Sequence, residues 1–255
     1  MRKLVSLLLV SVAAAFAPAQ QLPTAQELAT RIEAYAGQYR KNLPSFEVEE
    51  SAVTQQLKGD RVKWEVRLEA TMHELRDEKI EGSFIENITI RLVDGQPAPQ
   101  RFNLPYFVNG VFGNALGFAG SADSWSCFER RVSPGASPST ALFEFWVKPA
   151  PLPPDCKGIF ENYRKSALVD IATGRVLHLT RSMSERAAEK HHEVVFVEVD
   201  YAPQKLGEET FWLPLHFVSH NEKGDRRMEG SFSNFHRYAA SVKVIESNPL
   251  PEVTP

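Results

Sequence analysis

The residues best suited to chemistry in this sequence are its seven histidines. His191, His192 and Glu193 are consecutive, and His216 and His220 follow in a later segment. Residues two or four apart in a strand lie on one face, so an interstrand metal site is conceivable, because imidazole and carboxylate are common zinc ligands. The alternative is that the first group is a polar loop entering a strand and the second faces solvent. We adopt this alternative and expect no metal and no other cofactor.

The sequence lacks the strings that mark common catalytic sites. It contains neither the G-x-S-x-G of elbow-type serine hydrolases nor the S-x-x-K of penicillin-interacting enzymes, and it has no phosphate-binding glycine motif. His73 and Glu74 do not begin an H-E-x-x-H zinc motif, because Asp77 stands where the second histidine would be. We therefore predict that the protein is not an enzyme and assign no catalytic residue.

Residues 1–19 have the pattern of a cleavable signal peptide. Met-Arg-Lys at the start is followed by an apolar run over residues 4–17 and by the small-x-small sequence Ala17-Pro18-Ala19. The run is too short for the ~30 Å hydrocarbon core of a membrane, and no cysteine follows it to carry a lipid anchor. We expect a periplasmic or secreted protein with no permanent membrane span after cleavage.

Composition and charge limit the remaining possibilities. A chain of 255 residues with 43% hydrophobic residues can bury a sizeable core. The formal net charge is −3 and basic residues occur at most in pairs, so we expect no nucleic-acid partner. We predict a single domain over residues 20–247 and a disordered tail over residues 248–255.

The only two cysteines are Cys127 and Cys156. In an oxidising compartment an even, small number of cysteines indicates a disulfide bond first, with two free thiols as the alternative. Neither lies in a C-x-x-C motif, which argues against a thioredoxin-like redox role.

One amphipathic helix precedes a long series of strands. Thr24 and Glu27 form a capping-box pattern, and an apolar stripe follows at helical spacing, formed by Leu28, Ile32, Tyr35 and Tyr39. From Phe46 onward the apolar period changes to two, most clearly over residues 62–72. Short turns separate ten or eleven such segments. We predict a mainly β fold: a long antiparallel meander curled into an incomplete barrel, with the N-terminal helix and a short apolar helix or lid covering the open side.

The segment from Tyr106 to Gly120 differs from the rest. It interleaves four glycines with apolar and aromatic residues in the sequence YFVNGVFGNALGFAG. Glycine at this density weakens regular structure, whereas the aromatic residues need burial. The segment is therefore either a buried plug at one end of the sheet or a mobile apolar lid over a cavity.

Three C-terminal motifs carry a family resemblance. The stretches 199–203 (VDYAP), 211–214 (FWLP) and 233–238 (SNFHRY) resemble uncharacterised bacterial exported proteins related to the outer-membrane lipoprotein-sorting (LolA/LolB-like) superfamily. That resemblance implies an incomplete β-barrel closed by helices around an apolar cavity for acyl chains or lipids. The sequence shows no counterpart of the carriers' lid-locking arginine, and the cysteine pair with its glycine-rich insert is not part of the carrier pattern.

These observations predict a periplasmic, non-enzymatic binding or carrier protein for a hydrophobic small molecule or lipid. The alternative is a sensory or scaffold module that binds another envelope protein through the same sheet. The candidate ligand-binding residues are aromatic side chains of the strands and the glycine-rich segment: Trp64, Phe84, Phe107, Phe112, Phe118, Phe145 and Phe211.

The signal-peptide pattern predicts where the mature chain begins. Because a short apolar run ends at a small-x-small site, the mature chain should begin at Gln20 or within a residue or two of it. The intact mass of protein from a periplasmic fraction measures this. Full-length chain in the membrane pellet would contradict it.

Overall fold

The computed structural model describes residues 22–77, 79–80, 83–107, 111–112, 127–149, 151, 156, 164–187 and 191–238. The predicted signal peptide, the predicted C-terminal tail and Phe118 lie outside these residues. Within them, no helix combines the length and the apolarity that a membrane crossing needs.

The predicted helix is confirmed as α1, Ala25–Asn42. The Thr24 side chain accepts a hydrogen bond from the Glu27 backbone, and the Glu27 carboxylate accepts one from the Thr24 backbone at 2.8 Å. This capping box satisfies two backbone donors that the first helical turn leaves free. The helix ends at Leu43. Because Pro44 follows, the backbone of Leu43 is restricted to an extended conformation, which cannot continue the helix.

The strands follow one another along the chain as β1 Phe46–Lys58, β2 Arg61–Arg76, β3 Phe84–Val93, β4 Gln96–Pro97, β5 Phe128–Pro134, β6 Thr140–Val147, β7 Arg164–Asp170, β8 Val176–Ala187, β9 His191–Leu206, β10 Glu209–Asn221 and β11 Arg226–Arg237. They form one eleven-stranded antiparallel sheet that is not closed into a barrel. The predicted mainly β, incomplete-barrel class is thus confirmed.

The order of the strands departs from a simple meander at two places. The sheet runs β4-β3-β2-β1-β11-β10-β9-β8-β7-β6-β5, so the first and last strands are neighbours in its middle. Consequently β4 and β5 lie at opposite edges, and residues 98–127 connect one edge to the other. We call the face that packs against α1 and this connection the inner face.

The connection is attached to the middle of the sheet at Tyr106. Thr54 Oγ1 on β1 donates to the Tyr106 carbonyl at 2.5 Å and accepts from its backbone N–H at 3.1 Å. The Tyr106 hydroxyl lies 2.9 Å from Ser219 Oγ on β10. Beyond it, Val111 and Phe112 are buried in the core. At these residues the segment fills space as a plug would; its other residues after Phe107 lie outside the described part.

An aromatic cluster forms the centre of the core. The Phe112 ring lies 4.7 Å from Phe232 and 5.4 Å from Phe46, and Phe232 lies 5.5 Å from Phe217. These rings come from the connection and from β1, β10 and β11. The cluster therefore joins the two halves of the sheet to the segment that crosses it.

The predicted disulfide bond between Cys127 and Cys156 is confirmed. Its two cysteines are separated by 29 positions. In the chain-entropy model a loop of this length stabilises the folded state by roughly 3–4 kcal/mol. The bond also fixes the end of the connection where it enters β5.

The end of the β1–β2 hairpin corrects one expectation. The alternation over residues 62–72 predicted that all its apolar residues face the core, and Val66, Leu68, Ala70 and Met72 do. Val62 and Trp64, however, are 50% and 40% exposed. They lie at the tip of a long hairpin, past the row where Tyr106 covers β1.

Gly230 supplies a stability test. A Cβ at this position on β11 would lie 2.3 Å from the ring of Phe217, which is fully buried. Gly230→Ala should therefore lower the free energy of unfolding by about 1–3 kcal/mol through overpacking. Urea denaturation measures the change.

Gly37→Ala is the matched control. Gly37 lies inside α1 with nothing within 4 Å of its missing Cβ, so alanine there should stabilise the protein by about 0.5–1 kcal/mol. Equal effects of the two substitutions would contradict the close packing of Phe217 on Gly230.

Candidate functional site

A pocket lies between α1 and the inner face. Four residues of α1 and one each from β8, β9 and β10 line it: Ile32, Tyr35, Ala36, Tyr39, Val176, Tyr201 and Trp212. The space in it that a water-sized molecule can occupy is about 20 Å³. We call it the α1 pocket. In this state it has room for about one water molecule.

The helical period explains the α1 wall of the pocket. Ile32, Tyr35, Ala36 and Tyr39 are three or four residues apart, so they project from one face of the helix. The small side chain of Ala36 leaves a gap between the two tyrosine rings, whose centroids are 6.2 Å apart. The wall is consequently apolar and aromatic with a recess in its middle.

The Tyr201 hydroxyl is the unusual polar group of the pocket. The residue is 6% exposed, and its hydroxyl has no hydrogen-bond partner among the described residues. Burial, together with Tyr35, raises its pKa well above the ordinary tyrosine value. A buried hydroxyl without a partner costs about 1–3 kcal/mol, so the site favours a visiting polar group.

Arg175 does not line the pocket itself but lies immediately before the lining residue Val176. Its guanidinium is 4.4 Å from the centroid of the ring of Trp212, which also lines the pocket. Its charge also acts on the Tyr35 hydroxyl, opposing the rise in pKa that burial causes there. The pocket thus joins an apolar interior to a cation.

Polar contacts hold α1 at three points along its length. Arg31 donates to the Ile171 carbonyl at 2.7 Å, next to Gly174, whose lack of a side chain lets the β7–β8 turn approach the helix backbone. Arg76 of β2 donates to the last carbonyls of α1, including that of Lys41 at 2.8 Å. Near the other end, Arg130 of β5 donates to Gln26 at 3.2 Å.

Three carboxyl groups lie on the inner face beside the C-terminal half of α1. Glu50 and Glu74 are 5% and 3% exposed, and Glu86 pairs directly with Glu74 across β2 and β3. Burial first, and then the hydrogen bond and charge of Glu86, raise the pKa of Glu74 to about 9. Burial and Glu86 raise the pKa of Glu50 to about 7. Facing them from α1 is Tyr39, whose pKa is raised by burial and by nearby groups that include Glu74.

A basic group lies on the other half of the inner face. Lys165 of β7 is 2% exposed and is the cross-strand partner of Arg181 on β8. Burial, followed by the charge of Arg181, lowers the pKa of Lys165 to about 7. The inner face is therefore acidic on its β1–β3 half and basic on its β7–β8 half.

The structure distributes the predicted ligand-binding residues over the sheet. Phe112, Phe145 and Phe211 belong to the buried core, and Phe84 and Phe107 are partly buried against it. Trp64 is at the exposed hairpin tip, and Phe118 lies outside the described residues. That these seven residues line a ligand site stays a prediction.

Sequence reasoning missed Tyr201, Trp212 and Arg175. Tyr201 and Trp212 lie within two of the motifs that carry the family resemblance, and Tyr35 and Tyr39 lie on the predicted stripe of the helix. The apolar stripe of the helix was the available signal, because it implies a set of apolar strand residues that pack against it. Arg175 follows a turn and carries no sequence signal of its own.

The histidines form a polar ladder on the outer face. Asp200 of β9 lies between His178 of β8 at 2.7 Å and His216 of β10 at 3.4 Å, and His216 also contacts Glu229 at 3.3 Å. His220 instead stacks on Phe196. No group of three or more His, Cys, Asp or Glu in the described ranges is placed to hold a metal ion.

The buried carboxyl groups predict a pH dependence of stability. Because the folded state raises the pKa of Glu74 from 4.5 to about 9, the stability from its bound proton is complete below pH 4.5 and is lost as the pH rises through 9. The free energy of unfolding should fall between pH 4.5 and 7 by at most about 1.4 kcal/mol per pH unit for each proton. Above pH 7 the lowered pKa of Lys165 acts in the opposite direction, because the folded state then binds fewer protons at that lysine than the unfolded state does. Glu50 adds to the fall between pH 4.5 and about 7.

Glu74→Gln should reduce this fall between pH 5 and 7 to the part that Glu50 contributes, because the amide keeps the hydrogen-bonding shape without ionising. Urea denaturation at pH 5, 6 and 7 measures it. Glu69→Gln, on the exposed face of the same strand, is the control and should keep the wild-type profile. A wild-type stability that rises from pH 5 to pH 7 would contradict the prediction.

Similarity to known proteins was found only among solved structures. No family model and no curated protein matches the sequence. Among solved structures, the chain is similar to a domain assigned to outer membrane lipoprotein sorting from Vibrio parahaemolyticus (TM-score 0.43, 9% identity, covering 86% of this chain and 95% of that one). It is also similar to a DUF1329 family protein from Desulfovibrio piger (0.35, 11%, 86% and 93%) and to a chain of the Pseudomonas aeruginosa MucA/MucB complex (0.25, 10%, 82% and 93%).

Proposed function

We propose that this protein is an exported, non-enzymatic binding or carrier protein for a hydrophobic small molecule, a lipid or acyl chain, which it takes up between α1 and the inner face. The observation that carries the proposal is the α1 pocket, an apolar recess that contains the unpartnered Tyr201 hydroxyl. Ligand sites in proteins are mostly apolar with a few placed polar groups.

The shape of the pocket supports a movable helix. Its free space is too narrow for an acyl chain, so binding requires α1 to move away from the sheet. Empty space beside Ala36 and Trp212 means that part of the helix lacks close contacts, and such gaps forfeit dispersion energy. A ligand that fills the gap recovers those contacts, which offsets the separation of α1 from the strands.

The attachments of α1 are consistent with such movement. The described hydrogen bonds between its body and the sheet run from single side chains such as Arg31 and Arg76, whereas each inner strand has backbone ladders on both sides. A hydrogen bond contributes only about 0.5–1.5 kcal/mol net. The helix is therefore the element that a ligand displaces most readily.

One observation favours the alternative of a protein-binding scaffold. Val62 and Trp64 are exposed together at the tip of the β1–β2 hairpin, and adjacent exposed apolar residues are typical of interaction sites. In that case the hairpin, rather than the α1 pocket, is the functional surface. Lipid binding in the α1 pocket would involve Trp212, whereas protein binding at the hairpin would involve Trp64.

Quenching by a brominated fatty acid separates them. If dibromostearate binds in the α1 pocket, it contacts Trp212 and should quench its fluorescence saturably. Trp212→Phe should remove most of the quenching. The control Trp64→Phe, at the exposed hairpin tip, should retain it.

Two results would count against the proposal. Quenching that is lost in Trp64→Phe but kept in Trp212→Phe would place the apolar contact at the hairpin. Absence of saturable quenching in the wild-type protein would remove the evidence for a lipid site and favour the scaffold.

A further inference from the structure

We propose that the α1 pocket recognises a carboxylate, so that its ligand is a single-chain amphiphile of the fatty-acid class whose headgroup is bound by Arg175 and Tyr201. This inference rests on the proposed function and specifies its ligand. It starts from two polar groups that border one apolar recess and whose hydrogen-bonding capacity the described residues do not use.

Arg175 is the first of these groups. Its Nε is buried and has no hydrogen-bond partner among the described residues, and no carboxylate of that part of the chain lies within ion-pair distance of its guanidinium. Its described contact is the stacking on Trp212 at 4.4 Å. Stacking leaves the edge of the guanidinium, where the N–H donors lie, open to a second partner.

Asp170 is the acidic residue that this charge influences most clearly. The Asp170 carboxylate accepts hydrogen bonds from the backbone and hydroxyl of Thr173, at 2.9 and 2.6 Å, and so holds the β7–β8 turn. Burial raises the pKa of Asp170, whereas the Thr173 hydrogen bonds and then the charge of Arg175 lower it, without a direct ion pair to Arg175. The Asp170 carboxylate therefore uses its hydrogen bonds to hold the turn and does not bind the guanidinium.

Tyr201 is the second group. Its buried hydroxyl has no partner within the described part of the protein, and the Tyr35 hydroxyl interacts electrostatically with both Tyr201 and Arg175. Tyr201 also acts electrostatically on Tyr39, one turn further along the helix. The remaining walls are apolar, formed by Ile32, Ala36, Val176 and the ring of Trp212.

The chemistry of these groups selects the headgroup. A guanidinium presents a planar pair of N–H donors that matches a carboxylate, and a tyrosine hydroxyl donates readily to an anion. The neighbouring cation Arg31 is held by the Ile171 carbonyl, to which it donates, so we assign the headgroup to Arg175. A cation beside an apolar recess fits an anion with a hydrocarbon chain.

The test compares ligands that differ only in the headgroup. Palmitate and methyl palmitate are each used to displace Nile red, a neutral lipophilic probe, from the full mature protein. Wild type should bind palmitate about 10- to 100-fold more tightly than the ester, the range expected for charge-assisted hydrogen bonds. This comparison does not depend on the folding of any variant.

Variants then assign the effect to residues. Arg175→Gln should lower the affinity for palmitate by the same factor and leave the affinity for the ester unchanged. Tyr201→Phe should lower the affinity for palmitate by a smaller factor. Arg61→Gln removes one positive charge at the exposed end of β2 and should change neither affinity. Arg175→Lys keeps the charge but not the planar fork and should give an intermediate affinity.

The outcomes separate the two proposals. Equal affinity for palmitate and its ester, with no effect of Arg175→Gln, would overturn carboxylate recognition while leaving lipid binding in place. If Nile red itself does not bind saturably, the proposed function fails. An equal loss of palmitate affinity in Arg61→Gln would show that general charge, and not Arg175, is responsible, and would also overturn the inference.

Discussion

The pairing of β1 with β11 is the interaction on which the rest of the structure depends. It joins the first strand to the last in the middle of the sheet, from Phe46 opposite Arg237 to Gln56 opposite Arg226. Because the strands on either side continue outward in sequence order, the chain must pass from one edge of the sheet to the other between β4 and β5. Because α1 immediately precedes β1, the pairing also places the helix near the middle of the sheet. The strand order therefore accounts for the presence of both α1 and the connection at the inner face.

Among the described residues, α1 and the buried residues Tyr106, Val111 and Phe112 of the connection pack on the inner face, and they do so unevenly. In the middle, Phe112 fills the space between Phe46 and Phe232, and the core is close-packed there. Under α1 the fit is looser, and the α1 pocket remains. Buried polar groups lie on the inner face as well, including Glu74 with its raised pKa and the unpartnered hydroxyl of Tyr201. Such groups are destabilising in a structure that has only to fold, which favours a functional reason for them.

The features of this structure that the sequence predicted are those whose signals lie within a short stretch of the chain. The capping box at Thr24 and the stripe of α1 are contained within one helix, and they predicted its start and its buried face. The alternation in β2 likewise predicted a strand, and the cysteine count predicted the disulfide. The pairing of β1 with β11 was not predicted, because nothing in either strand specifies a partner some 180 residues away. For β9 and β10, apolar residues on both faces left the side that faces α1 undetermined, which is why Trp212 was missed.

The candidate site shows the same limit at the level of single side chains. Arg175 looks in the sequence like an ordinary polar residue after a turn, because the features that distinguish it are spatial: a ring beneath its guanidinium and a turn that occupies Asp170. The β7–β8 turn also carries Gly174, which lets the turn approach the backbone of α1 at Arg31. The turn therefore positions the cation and supports the helix at the same time. Under the proposed function, a displacement of α1 would alter the surroundings of Arg175, since Tyr35, on which its charge acts, lies on the helix, and Trp212, on which it stacks, lies on the sheet. Binding of a headgroup would then be coupled to opening of the recess without any change in the pairing of the strands.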